Sequence, residues 1–194
     1  MAGQKSLNII NKKTVWEGNF IRVVLLEYCD ESGNVRRWEA VERVNCDGIV
    51  AVIPVTEEGE LLMIRQFRPA LNNYVIEFPA GLNDKGESLA DAARRELIEE
   101  TGYVSDELEL MAEGPVSSGL STEVLTVFLA KKAVPASAAL RERYPIEETE
   151  DIEVIKCPLM SAYETINEYL KKGDAADLKI YGFIELAQKR MDSW

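Results

Sequence analysis

The sequence predicts an α/β protein with a small antiparallel β extension at its N-terminus. Short apolar segments bounded by turn residues have the length and composition of strands. Longer segments with apolar residues at helical spacing follow them in the second half of the chain. We therefore divide the chain into an N-terminal β-hairpin, residues 1–45, and a main domain, residues 46–194.

Composition limits the classes of function. A chain of 194 residues that is 46% hydrophobic suits one domain with a small appendage. The net charge of −12 argues against a nucleic-acid-binding surface. No apolar run is long enough to span a bilayer, and MAGQKSLNII is too polar for a signal peptide, so we expect no membrane partner.

Cysteine and histidine usage limits the chemistry further. Three cysteines, odd in number and widely spaced, argue against a disulfide framework and predict a reducing, cytoplasmic location. The sequence contains no histidine. A metal site must therefore be built from oxygen ligands.

The N-terminal part predicts a hairpin. We expect residues 1–12 to be a frayed lead-in because they are weakly patterned. The strand-like segments NFIRVVLLEYC and VRRWEAVERV flank the turn at residues 30–34. A hairpin of this size is marginal alone, so it must pack on the main domain or on a second subunit.

The main domain alternates strands with helices. Turn residues separate its predicted strands GIVAVIPV, LLMIRQFR, YVIEFPAG, ELELMAEG, VLTVFLAKKA and EDIEVIKC. Residues 134–150 predict a loop with a short helical turn. The segment LMSAYETINEYLKK predicts an amphipathic helix that Gly173 ends, and AADLKIYGFIELAQKRMDSW predicts a last helix.

The segment GLNDKGESLADAARRELIEETGY, residues 81–103, carries the strongest chemical signal. Its polar turn residues give way to helical spacing near Ser88. At about 100° per residue, Leu89, Ala93, Glu96 and Glu100 fall within an arc of roughly 60°. Two carboxylates therefore share the stripe that should face the core.

A buried, unpaired carboxylate is costly, and a divalent cation would remove that cost. The alternative is an acidic, solvated helix face, which this spacing alone would favour. Arg95 and Glu99, four residues apart, can pair on the same helix.

The full pattern decides between these two interpretations. It comprises Gly81, Glu87, Arg95-Glu96-Leu97, Glu99-Glu100, Gly102 and Tyr103. This arrangement resembles the Nudix box at every fixed position, with Tyr103 in a slot that is more often aliphatic. The resemblance implies an α/β/α sandwich with a mixed sheet between helices, and hydrolysis of nucleoside diphosphates linked to a further group. It implies Mg²⁺ as cofactor, with Mn²⁺ possible.

Three further segments narrow the resemblance. RQFRPALNNYVIEFPAGLND, RRWEAVERV and SSGLSTE are similar to segments of ADP-ribose pyrophosphatases. They also occur in relatives that cleave GDP-mannose and other nucleotide sugars, which is the alternative substrate class. Many ADP-ribose pyrophosphatases have a proline where this chain has Ser118. A non-catalytic Nudix ligand sensor usually lacks box glutamates that are present here.

The resemblance implies the metal ligands and the catalytic groups. Glu96, Glu100 and the Ala80 carbonyl match the metal ligands, with Glu99 as a supplementary ligand. Within the box, Glu99 and Arg95 are also expected to serve catalysis. The group that handles the attacking water comes from a later loop. Alignment of EDIEV places that role on Glu150, and a two-residue shift would place it on Glu148.

The resemblance also implies the substrate contacts. Arg68 matches an arginine that contacts the diphosphate, and Arg43 matches another polar contact with the substrate. A planar guanidinium suits phosphate oxygens. Trp38 matches an aromatic residue that stacks on adenine. Further expected contacts with the substrate are Phe20, Glu39, Gly119 and Leu120.

Alternatives to these contacts remain open at this point. Trp38 could be a packing residue, and the two arginines could be ordinary surface charges. The resemblance further implies a homodimer that exchanges the N-terminal hairpin. From ADP-ribose the expected products are AMP and ribose 5-phosphate.

Overall fold

The N-terminal part is a separate three-stranded antiparallel sheet in the computed structural model, which describes residues 7–146 and 150–191. Its strands are β1 (Ile9–Glu17), β2 (Ile21–Cys29) and β3 (Val35–Arg43), in that spatial order. The carboxylate of Asp30 accepts the backbone N–H groups of Ser32 and Asn34 at 3.0 and 2.8 Å, which fixes the turn between β2 and β3.

The predicted hairpin therefore has an additional strand. Residues 9–12, expected to be frayed, belong to β1 and pair with β2. Every residue of β1 is exposed. The strand therefore lacks the alternation of buried and exposed positions from which it could have been predicted.

The main domain holds a mixed sheet of nine strands within the described ranges. They are β4 (Ile49–Thr56), β5 (Glu60–Arg68), β6 (Asn73–Glu77), β7 (Ala80–Leu82), β8 (Tyr103–Val104), β9 (Glu107–Pro115), β10 (Val124–Pro135), β11 (Ile152–Pro158) and β12 (Ala175–Ala176). The main order is β12-β6-β5-β4-β10-β8, with β11 on β5, β7 on β4 and β9 on β10. The β4–β10 and β6–β12 pairs are parallel, and the other pairs are antiparallel.

Four helices accompany this sheet in the described part of the chain: α1 (Leu89–Thr101), α2 (Ala138–Arg143), α3 (Ala162–Lys171) and α4 (Lys179–Met191). The last helix begins later than the sequence predicted, because Ala175 and Ala176 pair with β6 instead. Among the residues described, no helix combines the length and apolar character that crossing a bilayer requires.

Helices cover both faces of the sheet. On one face, Val50 and Val52 of β4 pack in a cluster with Leu97 of α1. On the other, alternate β4 residues such as Ile53 pack in a cluster with Ile166 of α3 and with α4. Successive strand residues point to opposite faces, so β4 lies between the two helical layers. The predicted α/β/α sandwich is confirmed.

Helix α1 begins directly after Ser88, where the sequence predicts its start, and ends at Thr101. The Ser88 hydroxyl accepts the N–H of Asp91 at 3.1 Å and caps the N-terminus. At the other end Gly102 adopts φ +70°, and its N–H bonds the Ile98 carbonyl at 2.8 Å. Between these caps, Glu96 and Glu100 are both buried residues of the helix.

Candidate active site

A cavity of about 630 Å³ opens beside α1, and β4, β5, β7 and α4 contribute to its walls. It brings together eight of the predicted site residues: Phe20, Arg43, Arg68, Ala80, Arg95, Glu96, Glu99 and Glu150. It also includes charged residues that the sequence did not single out as part of a site: Glu77, Asp84, Lys85, Glu123, Asp177 and Lys179.

Arg95 connects three glutamates of the segment around α1. Its guanidinium is buried and bonds Glu87 at 2.8 Å, Glu96 at 2.6 Å and Glu99 at 2.9 Å. A fourth contact runs to the Leu82 carbonyl at 3.0 Å. Burial opposes the charge of Arg95, but the bonds and charges of these glutamates outweigh it and raise its pKa. The predicted pairing of Arg95 with Glu99 is confirmed, and Arg95 orients the other two carboxylates as well.

Gly81 makes room for the Glu96 carboxylate. A Cβ atom added at Gly81 would lie 1.9 Å from Oε1 and 2.0 Å from Cδ of Glu96. No side chain larger than hydrogen fits there while Glu96 keeps its position. Glycine is thus required at position 81 because of the position of Glu96 on α1.

Glu100 lies behind Glu96 against the same strand. It is 2% exposed, and its Oε2 accepts the backbone N–H of Ala80 at 2.9 Å. Glu100 does not line the cavity itself. Two glutamates of one helix face therefore lie beside consecutive residues of β7, Ala80 and Gly81.

Burial dominates the titration of both acids. It raises the pKa of Glu96 to about 7, against the opposing effect of the Arg95 charge. It raises the pKa of Glu100 well above its usual range, and the Glu96 charge adds to that effect. In both cases burial is the largest cause, so the ionised form of each acid is the one that the surroundings disfavour.

This donor set fits a hard divalent cation, which takes carboxylate and carbonyl oxygens. Across residues 7–146 and 150–191, no three acidic or cysteine side chains cluster as a metal site. The predicted ligands, which are Glu96, Glu100 and the Ala80 carbonyl with Glu99 as a supplementary ligand, stay a prediction. The space that Gly81 leaves open for Glu96 supports the same assignment.

Glu150 faces the acidic residues from the side of β11. Its Oε1 accepts the amide Nε2 of Gln66 at 3.4 Å. Its charge also raises the pKa of Glu96 and Glu100, so the three carboxylates are within electrostatic reach of one another. The alternative residue, Glu148, lies outside the described residues.

Arg68 enters the cavity paired with an acid that the sequence did not reveal as a site residue. Its Nε donates to Glu77 Oε1 at 2.7 Å, and Glu77 is buried at the end of β6. Burial raises the pKa of Glu77, while Arg68 opposes that effect. The available signal was a single carboxylate inside the apolar run YVIEF.

The remaining predicted substrate contacts separate into two groups. Arg43 and Phe20 line the cavity, with Arg43 bonded to Glu123 at 2.7 Å. Trp38 lies outside the lining, and its indole N–H donates to the Gly119 carbonyl at 3.2 Å. Glu39, Gly119 and Leu120 are exposed and also lie outside the lining.

The loop after β9 is attached to β3 by its backbone. The N–H of Val41 donates to Leu120 O at 2.8 Å, and the N–H of Thr122 donates to Val41 O at 3.1 Å. The Trp38–Gly119 and Arg43–Glu123 bonds join the same loop to the N-terminal sheet through side chains. The loop and the sheet form one edge beside the cavity.

Comparison with known proteins places this geometry in a family. A model of the NUDIX domain matches residues 47–180, which include α1, Glu150 and most of the residues that line the cavity. This chain belongs to the Nudix family. The predicted family and the predicted class of hydrolase are confirmed.

The relatives of this Nudix hydrolase carry the names of different pyrophosphatases. ADP-ribose pyrophosphatase of Bacillus subtilis (strain 168) is 33% identical over 157 residues, which cover 81% of each chain. GDP-mannose pyrophosphatase of Citrobacter koseri is 30% identical over 182 residues, covering 90% of this chain and 91% of the relative.

One solved structure confirms the fold. The crystal structure of an ADP compounds hydrolase superposes with a TM-score of 0.76 at 20% identity. The match covers 97% of this chain and 96% of that one. It extends across both the N-terminal sheet and the Nudix domain.

Proposed function

We propose that this Nudix hydrolase cleaves the diphosphate of ADP-ribose, or of a related nucleoside diphosphate sugar, with the help of a divalent cation. From ADP-ribose the products are AMP and ribose 5-phosphate. The observation that carries the proposal is the burial of Glu96 and Glu100 against Ala80 and Gly81, beside a cavity with two arginines. The similarity to an ADP-ribose pyrophosphatase supports this substrate.

The proposed cation is Mg²⁺, with Mn²⁺ as an alternative, held by Glu96, Glu100 and the Ala80 carbonyl. Glu99 is a supplementary ligand. A bound ion of this kind neutralises diphosphate oxygens and lowers the pKa of a bound water. Arg95 orients Glu96 and Glu99 for this task through bonds of 2.6 and 2.9 Å.

The protein's own groups bind the substrate and move the proton. Glu150, on the cavity wall, orients the attacking water and accepts its proton; Glu148 is the alternative. Arg68 and Arg43 bind the diphosphate through charge-assisted hydrogen bonds. Glu77 and Glu123 hold these guanidinium groups beforehand at 2.7 Å, so their orientation is set before substrate arrives.

The base is proposed to bind at the edge formed by the N-terminal sheet and the loop after β9. Phe20 lines the cavity there with its side chain 75% exposed, so its ring is available for stacking. Trp38 and Glu39 serve adenine from β3, with Gly119 and Leu120 beside them. The hydrogen bond from Trp38 to Gly119 holds β3 and the loop after β9 next to each other.

The experiment is a substrate panel assayed for products in Mg²⁺ and in chelator. ADP-ribose should give AMP and ribose 5-phosphate with Mg²⁺ and nothing with chelator. Preferential cleavage of GDP-mannose would establish the second candidate, which the Citrobacter koseri relative favours. A protein that hydrolyses none of the nucleotide sugars would contradict the proposal.

We also propose a homodimer that exchanges the N-terminal sheet, with residues 1–45 as the dimerisation part. Exposed apolar side chains cover this sheet, including Ile10, Val15 and Trp16. A reducing, cytoplasmic location is proposed because Cys29, Cys46 and Cys157 are free thiols.

A further inference from the structure

The start of β11 is fastened to the neighbouring strands immediately beside Glu150. The Tyr74 hydroxyl donates to Asp151 Oδ2 at 2.5 Å. The backbone N–H of Phe67 donates to the Asp151 carbonyl at 3.3 Å. Asp151 is therefore held through both its side chain and its backbone, one residue after Glu150.

Tyr74 is itself fixed in place. The Arg65 guanidinium lies 3.6 Å from the centre of the Tyr74 ring, and the Phe67 ring meets it edge-on at 5.5 Å between centroids. Arg65 in turn makes two bonds to Asp174, at 2.7 and 3.0 Å. The hydroxyl that bonds Asp151 thus projects from a ring with little freedom to move.

Gln66 holds Glu150 from the opposite direction. It is 4% exposed, and its Nε2 donates to Glu150 Oε1 at 3.4 Å. Its Oε1 has no hydrogen-bond partner among the described residues. A buried amide normally bonds through both of its polar atoms, and here the hydrogen bond of the Gln66 amide group goes to Glu150.

We propose that Tyr74 and Gln66 are positioning residues for Glu150. Tyr74 fixes the backbone next to Glu150 through Asp151, and Gln66 fixes its carboxylate. Neither residue lines the cavity, so neither is expected to touch substrate. This inference rests on the proposed function, in which Glu150 handles the attacking water.

The test is a double-mutant cycle. Tyr74→Phe removes the hydroxyl and keeps the ring over Arg65, and Gln66→Met removes the amide at similar volume. Each should lower kcat roughly tenfold with KM unchanged, since displacement of a reacting group by a fraction of an ångström is costly. In a Glu150→Gln background both changes should have almost no effect, because their target is already lost.

Matched controls lie on α3 and α4, at positions that do not line the cavity. Tyr163 also donates its hydroxyl to a carboxylate, that of Glu185 at 2.9 Å, and Gln188 donates its amide to the Leu159 carbonyl at 3.2 Å. Tyr163→Phe and Gln188→Met should leave kcat and KM unchanged. An equal loss of kcat in either control would assign the effect to general stability and overturn the inference.

A second readout does not require turnover. The amide of Phe67 bonds Asp151, so its hydrogen exchange, followed by NMR, should be faster in Tyr74→Phe than in the unsubstituted protein. The amide of Val52, bonded to Pro79 at 2.8 Å, should not change. Unchanged exchange at Phe67 would overturn the positioning role of Tyr74.

Persistence of the full kcat loss in the Glu150→Gln background would equally overturn the inference. If the proposed function itself is wrong, the result differs from these outcomes, because the unsubstituted protein would then hydrolyse no nucleotide sugar. The exchange rate of Phe67 would still decide whether Tyr74 holds the segment.

Discussion

The Glu96 carboxylate occupies the space that the missing side chain of Gly81 leaves open. A Cβ atom on Gly81 would lie 1.9 Å from the Glu96 carboxylate oxygen. The contact joins the loop before α1 to the buried face of α1 itself. The need for glycine at position 81 is therefore tied to the position of Glu96, a proposed metal ligand.

Gly81→Ala should separate folding from activity. The clashing atoms are the far end of a side chain, so the backbone can stay while the carboxylate moves. We expect a loss of no more than about 3 kcal/mol in unfolding free energy, as for other overpacked sites, with most activity lost. Denaturant unfolding and turnover measure the two effects.

The control for this change is Gly182→Ala on α4, where an added Cβ meets nothing within 4 Å. Alanine should stabilise that helix slightly and leave turnover intact. If Gly81→Ala kept full activity, the close contact with Glu96 would have no functional meaning.

Arg68→Lys should raise KM and leave stability nearly unchanged. Lysine keeps the charge near Glu77 but cannot bind both the acid and a phosphate oxygen with a planar fork. Loss of one charge-assisted hydrogen bond, about 1.5 kcal/mol, corresponds to a KM about tenfold higher. Steady-state kinetics on ADP-ribose measure the change.

The comparison variant is Arg36→Lys, whose arginine pairs with Asp30 in the N-terminal turn, outside the cavity. It should keep a normal KM. A normal KM for Arg68→Lys as well would remove Arg68 from the substrate contacts.

Stability of the metal-free protein should fall as pH rises from 5 to 8. Burial raises the pKa of Glu96 to about 7 from 4.5, so the folded protein binds the proton more tightly than the unfolded chain. The stabilisation from protonated Glu96 is fully present below the pKa that the group has in the unfolded chain. It is lost as the pH rises through the pKa of the group in the folded protein. The shift corresponds to roughly 3 kcal/mol from this group.

Thermal unfolding in chelator, at pH 5 and at pH 8, measures this dependence. Added Mg²⁺ should raise the melting temperature more at pH 8, because ionised carboxylates bind it. Glu96→Gln should flatten the pH dependence. A metal-free protein that is more stable at pH 8 than at pH 5 would show that these acids are not buried as described.

Val15→Lys should weaken the proposed dimer. Val15 is 60% exposed on β1, and a charge there would be buried wherever a second subunit covers the strand. Sedimentation velocity should show a dimer for the unsubstituted protein and a larger monomer fraction for the variant. A monomer in both cases would leave β1 without a partner subunit.

The sequence predicted the start and the acidic face of α1 well because local signals agree with one another there. A capping serine, a C-terminal glycine and a stripe that includes Glu96 and Glu100 all specify the same helix. The Arg95–Glu99 bond follows from the same periodicity. The Arg95 contacts with Glu87 and Leu82 were missed, because they depend on the path of the preceding loop.

Other features were missed because they are set by pairing over long distances. β1 is exposed along its whole length, and β12 contains two alanines whose pairing partner lies about a hundred residues earlier. Glu77 was visible as a charge in an apolar strand, but its partner Arg68 was not, because the β5–β6 register sets Glu77 opposite Ile64 and the two bonded side chains meet diagonally. Such contacts have no periodic signal in the sequence.

The measurement that tests the central claim most directly is turnover of Glu100→Gln in saturating Mg²⁺. Glutamine can still accept the Ala80 N–H, so the variant should fold with an unchanged circular dichroism spectrum and similar stability. Loss of a metal ligand should reduce kcat roughly a thousandfold, equivalent to several kcal/mol of transition-state stabilisation. Near-normal turnover by the folded variant would contradict the assignment of Glu100 to the metal.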